Sequence, residues 1–148
     1  MNPNLEFSKF GKVILPNGKE VSIAFLKTRD GVSSDNSVAK LLLEALIFAL
    51  NEATNMVNIS SITISATTNG GHSPTSNHPK GLALDISRLD GVPMIQSGLT
   101  NKIKELQLGF DRFPRIRENF GPFFLHKFGS NFPSAPLHNE HIHISVTP

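Results

Sequence analysis

Three short stretches of this chain alternate strictly between apolar and small polar residues, and each can satisfy that alternation only as a β-strand with one face buried. In "ISSITISAT", Ile62 and Ile64 share one face while Ser61, Thr63 and Ser65 share the other. In "GLALDIS", Leu82, Leu84 and Ile86 stand against Ala83, Asp85 and Ser87, and in "HIHISV", Ile142, Ile144 and Val146 stand against His141, His143 and Ser145. A sheet built from these strands covers its apolar face with a helix and leaves a polar face carrying Asp85, His141 and His143 together. The period of two leaves no other way to place those residues.

A covering helix is available. "SSDNSVAKLLLEALIFALNEATN" carries Val38, Leu42, Ala45, Leu46, Ala49 and Leu50 at helical spacing, with Ser34, Asp35 or Asn36 as cap. Before it, "GKVILP" and "EVSIAFLK" flank Asn17–Gly18, which predicts a hairpin. A second helix is expected from about Met94 to Phe110, capped by Thr100, with Ile103, Leu106 and Phe110 facing inward. The Phe-, Pro- and Gly-rich segment "GFDRFPRIRENFGPFFLHKFGSNFPSAP" reads as ordered loop pinned by aromatic side chains near the site mouth. His72, His126 and His138 read as loop or surface histidines. The expected fold is α+β: one small domain over residues 1–148, an antiparallel sheet packed on helices.

Composition narrows the chemistry. The 148 residues include no cysteine, which removes disulfides, thiolate metal sites and a Cys nucleophile. The formal charge of +2 comes from dispersed Lys and Arg, so no nucleic-acid partner is expected. No apolar run reaches the roughly 18 residues of a membrane span, and "LLLEALIFAL" is interrupted by Glu44. The start, "MNPNLEFSKF", lacks a basic region followed by an apolar core, so no secretory signal is expected. A monomer is expected.

What remains is oxygen and imidazole chemistry. Zinc takes about four ligands from such groups, and a catalytic site keeps one position open. His78 and Asp85 fit a loop entering a strand: the His comes from the approach, the Asp from the polar face. Gly81 would let the backbone turn and pass close, and Ala83 would leave room on the Asp85 face. In "NEHIHIS", His141 and His143 point the same way. Both can bind metal, or one can bind while the other handles protons or an oxyanion. Glu140, at the strand entrance, can reach toward a metal-bound water as general base.

Together, "SNHPKGLALDI" and "EHIHI" resemble the zinc D-alanyl-D-alanine carboxypeptidases and L-alanyl-D-glutamate endopeptidases, which share their fold with the Hedgehog signalling domain. That family carries S-x-H-x-x-G-x-A-x-D, matched here by Ser76, His78, Gly81, Ala83 and Asp85. It closes its site near the C-terminus with a ligand His, preceded by an acidic residue three positions earlier or a His two positions earlier. This chain has both, as Glu140 and His141 ahead of His143. The resemblance implies Zn2+ as cofactor, with His78, Asp85 and His143 as ligands. It makes Glu140 the general base and His141 a proton-transfer or transition-state partner, or the reverse, with Ser76 beside the substrate.

One element departs from the pattern. Many members place an Arg in a "G-Y/W-R" element before the motif, whereas here the segment is "SATTNGGHSPTSNH". Thr67, Asn69 or His72 would stand in, with His72 the most capable chemically. The implied function is a hydrolase: a zinc metallopeptidase cutting peptidoglycan stem peptides, as a carboxypeptidase or an endopeptidase. The alternative is a zinc-stabilised, non-catalytic binding module on the same scaffold. A two-His phosphoesterase is disfavoured, because His143–Ser145 has no second H-x-[ST] partner at His72 or His78. A small lysin without a leader suits a phage endolysin or a bacterial effector that reaches the cell wall.

Overall fold

The computed structural model describes residues 4–6, 11–26, 37–67, 81–94 and 100–148. A long helix, α1 (Lys40–Thr54), lies under the sheet with Leu42, Leu46 and Leu50 fully buried. Burying each such side chain stabilises the fold by about 1.5–3 kcal/mol. α1 starts later than its periodicity suggests. Ser37–Ala39 is a short strand, β4, paired antiparallel with β1 (Asn4–Glu6), and Ala39 precedes the helix with no side-chain cap. Val38 is buried as expected, but from a strand. The expected caps, Ser34, Asp35 and Asn36, lie outside the described residues.

The N-terminal hairpin forms as expected. β2 (Lys12–Ile14) pairs antiparallel with β3 (Glu20–Phe25), and Gly18 takes a left-handed φ of 85° in the turn. Asn17 in that turn also ties the hairpin to the end of α1, donating from Nδ2 to Thr54 Oγ1 at 3.0 Å.

The three alternating stretches become β5 (Ser61–Ala66), β6 (Ala83–Leu89) and β11 (Ile142–Val146), neighbours in a large sheet. Ile62, Ile64, Leu84, Ile86, Ile142 and Ile144 are all fully buried in the core. The sheet is mixed rather than purely antiparallel, because β3 and β5 run parallel. After β6 come β7 (Val92–Pro93), which pairs with β6, and α2 (Asn101–Asp111). Thr100 caps α2 as predicted, its side chain accepting from the Ile103 N–H at 3.4 Å. α2 packs tightly on α1. A Cβ at Gly109 would sit 2.7 Å from the Ala49 carbonyl oxygen, so only glycine permits this approach.

The segment expected to be loop forms three strands. β8 (Ile116–Phe120), β9 (Leu125–Lys127) and β10 (Ser130–Asn131) extend the sheet beyond β11. Their shortness and their Pro and Gly neighbours hide any periodicity, and pairing with β11 supplies the order. The expected aromatic anchoring is present: Phe120 stacks on Phe132 at 6.2 Å between centroids.

Two irregularities shape the face away from the helices. Between β5 and β6, Thr63 pairs with Arg88 while Ile64 pairs with Ile86, so Ser87 is an extra residue in β6. Leu89 returns to the core opposite Ile62. Ser87 and Arg88, between the buried Ile86 and Leu89, therefore both lie off the core face. At the entrance to β6, Gly81 has φ of 71°, and a Cβ there would meet the Ala39 nitrogen at 3.2 Å. The turn and close passage assigned to Gly81 from sequence are both present.

Candidate metal centre

The site face is assembled by strand register. His143 on β11 lies directly across from Asp85 on β6 and from Phe120 on β8. Residues opposite one another in a ladder share a face, so these side chains converge although they are far apart in the chain. His143 Nδ1 is 2.9 Å from Asp85 Oδ1. Its other nitrogen, Nε2, is 3.2 Å from Glu118 Oε1, and the Ser145 hydroxyl donates to that same oxygen at 2.6 Å. Phe120 stacks on the imidazole at 5.8 Å. The ring is thus gripped at both nitrogens and on one face.

Charge follows from this geometry. Burial, the largest influence on His143, disfavours its charged form. Hydrogen bonds to Asp85 and then Glu118 overcome this and raise its pKa to about 9. Glu118 is lowered to about 2, chiefly by its bond with His143, against the opposing effect of burial. The imidazole is therefore protonated at neutral pH, between two carboxylates. Asp85 and His143 offer oxygen and nitrogen side by side, and a second ring nitrogen held by an outer carboxylate is the usual support of a metal-ligating histidine. In that arrangement Glu118 keeps Nε2–H and leaves Nδ1 to face Asp85. The donor chemistry fits zinc.

His141 lies just before β11 with Nε2 3.8 Å from Asp85 Oδ1. Glu140 is exposed and lines a cleft with His141. His138, expected to be a loop or surface histidine, does lie in a loop and is half-buried against the site. Its ring centroid is 5.0 Å from that of His141 and 5.3 Å from that of Phe120. Burial, and then the nearby histidines, push its pKa down, although a bond to the Pro136 carbonyl opposes this. The bend from Pro136 to Glu140 brings it there, which periodicity does not register.

His78, Ser76 and His72 lie outside the described residues, as does Asn69. Among the described residues no group of three or more His, Asp or Glu is arranged to hold a metal. Asp85 and His143 are the two predicted ligands brought together. Glu118 and Ser145 complete the grip on His143. Ser145 was legible from the alternation as a site-face residue, but Glu118 was not, because it sits in a segment read as loop.

Compared with known protein families, with curated proteins and with solved structures, the chain has no significant match.

Proposed function

We propose that this protein is a zinc-dependent metallopeptidase. Within that class, the reading that best joins motif and geometry is a peptidase of peptidoglycan stem peptides, on a fold of the Hedgehog and D-alanyl-D-alanine peptidase type. The observation that carries it is the meeting of Asp85 Oδ1 and His143 Nδ1 at 2.9 Å, from the two halves of the motif pair. His78, the third ligand implied by the motif, would complete the set.

Zinc, when bound, would supply Lewis acidity for activating water and the scissile carbonyl. The chain's own residues do the rest. Asp85 and His143 would hold the ion, and Glu118 and Ser145 fix the imidazole. Glu140, exposed beside His141, takes a proton from the attacking water and returns it to the leaving amine. His141 hydrogen-bonds the developing oxyanion, or exchanges roles with Glu140. Phe120 and the buried Ala83 exclude bulk water from the floor.

The test is hydrolysis of purified sacculi with zinc, with EDTA, and by His78→Ala and Glu140→Ala proteins, with the released muropeptides identified by mass spectrometry. Hydrolysis that stops with EDTA and with either substitution supports the reading. Hydrolysis indifferent to all three removes it. Zinc bound at one equivalent without cleavage would make the chain a binding module instead.

A further inference from the structure

The β9–β10 hairpin turns on a residue that suits neither its backbone nor its surroundings. Lys127 pairs with Ser130, so the turn between them is Phe128–Gly129, with φ of 51° and 76°. Left-handed φ at both positions defines a turn that Asn-Gly fills best. A phenylalanine there meets steric strain that asparagine or glycine largely avoids. Its ring gains little from the core in return, because Phe128 is 63% exposed. A residue unfavourable in both backbone and solvation points to a role outside the fold's own packing.

Cations gather around this apex. The Phe128 N–H donates to the Arg117 carbonyl at 2.7 Å, and the ladder sets Lys127 across from Glu118. Arg115 and Arg117 flank the first residue of β8, and Arg112 ends α2. Among the described residues none of these four side chains forms an ion pair. The carboxylates of the same stretch are engaged elsewhere, Asp111 by Asn119 and His126, and Glu118 by His143 and Ser145. Lys127 lies 4.9 Å over the Phe132 ring, which positions its charge without neutralising it. Gly129, Ser130 and Asn131 are exposed as well, so the apex projects instead of lining a groove. Single-stranded nucleic acid needs a groove that tracks its backbone and a row of stacking platforms, and one projecting ring supplies neither. A bilayer is anionic at its surface and apolar just beneath, which matches cations set around a projecting aromatic.

We propose that this apex docks the protein on an anionic phospholipid bilayer, with Phe128 at the headgroup–acyl boundary and Arg112, Arg115, Arg117 and Lys127 among the phosphates. His143 pairs with Phe120, at the other end of β8 from Arg117, so docking leaves the Asp85–His143 pair clear of lipid. The docking surface stands apart from the peptidase reading and survives its failure.

The chain has no Trp and no Tyr, so Phe128→Trp places a single indole reporter at the apex. Ile14→Trp is the control, on β2 at the opposite edge of the sheet and 72% exposed in the natural residue. Each full-length protein is mixed with vesicles of phosphatidylglycerol and phosphatidylcholine, or of phosphatidylcholine alone, and partitioning is read by flotation. Wild type should favour the anionic vesicles by more than about tenfold at low salt and lose that preference as salt is added. On those vesicles the Phe128→Trp emission should shift to the blue and be quenched by brominated acyl chains, while the Ile14→Trp emission does neither. The double variant Arg115→Gln/Arg117→Gln should partition about 20–30-fold less, near fivefold per cation removed. Phe128→Asn should partition about tenfold less yet unfold at higher urea, because Asn suits the turn; lost docking is thereby separated from lost folding. Equal partitioning to both vesicle types, or undiminished partitioning of Phe128→Asn, overturns the proposal. Anionic-vesicle binding with no shift in the Phe128→Trp emission overturns it too, and leaves a purely electrostatic contact with polyanions in its place.

Discussion

Among the described residues, two hydrogen-bonded Asp–His pairs lie on opposite faces of one sheet. Asp111 Oδ2 and His126 Nδ1 are 2.6 Å apart, a closer contact than that of Asp85 with His143. Their surroundings differ. Asp111 offers its other oxygen to the buried Asn119 side chain at 2.8 Å, and Asn119 also donates to the Gln107 carbonyl at 2.7 Å. Phe124 stacks on His126 at 3.8 Å. That pair belongs to a polar network joining the end of α2 to β8 and β9, on the side where Asn119 pairs across from the core residue Ile144. His143 instead meets a second carboxylate and has two further histidines nearby. A carboxylate–imidazole contact therefore does not define a site. The number of charged groups gathered on it does.

The comparison can be broken most directly by deleting each carboxylate. Asp85→Ala and His143→Ala should each reduce zinc affinity by more than the roughly 10–100-fold that a lost outer partner costs, measured by chelator competition. Zinc binding at wild-type affinity in either protein would erase the distinction. Asp111→Ala should leave zinc binding unchanged yet lower stability by about 1–3 kcal/mol in urea denaturation, because the buried Asn119 side chain and His126 lose a partner. A stability loss equal to that of Asp85→Ala would mean that both pairs are structural.

Glu118→Gln sharpens the same contrast. Its amide can still accept from His143 Nε2–H, but the charge is gone, so zinc affinity should fall by about tenfold, the low end for outer-sphere changes. An unchanged affinity would show that Glu118 does not tune the ligand.

The smallest effect concerns a fourth carboxylate, Asp90, in the β6–β7 turn. Burial pushes its pKa up, but Lys102 and then the Ser60 and Ser61 groups outweigh this and lower it to about 2. Its Oδ1 accepts from the Ser60 N–H at 2.7 Å and from the Ser61 N–H at 3.0 Å. Because the folded pKa lies below the unfolded value near 4, its contribution is full above pH 4 and is lost as the pH falls toward 2. Asp90→Asn should cost about 1 kcal/mol at pH 7, the size of a partly screened pair, and the gap to wild type should close below pH 2. A gap independent of pH would refute this origin.

Much of this architecture could be read directly. Ile62, Ile64, Leu84, Ile86, Ile142 and Ile144 sit where a period of two puts them, and Thr100 caps α2. The start of α1 was misplaced, because Ser37–Ala39 gains more by pairing with β1 than by extending the helix. β8 to β10 were missed because runs of two to five residues carry too little pattern to outweigh Pro and Gly. Glu118 and His138 were missed with them, since a lone ionisable residue in such a segment carries no spatial information.

The linear order of residues determined which side chains share a strand face, and so that Asp85 and His143 look away from the core. That follows from local geometry, since successive residues on a strand must point in opposite directions. Only the tertiary structure decided which strands lie side by side, and at what register. Pairing β11 with β6 and β8 delivers Asp85 and Glu118 to the two nitrogens of one imidazole, and one extra residue in β6 turns Arg88 out of the core. Register is a long-range property, set by hydrogen bonds and burial summed over whole strands, and no short stretch of chain contains it.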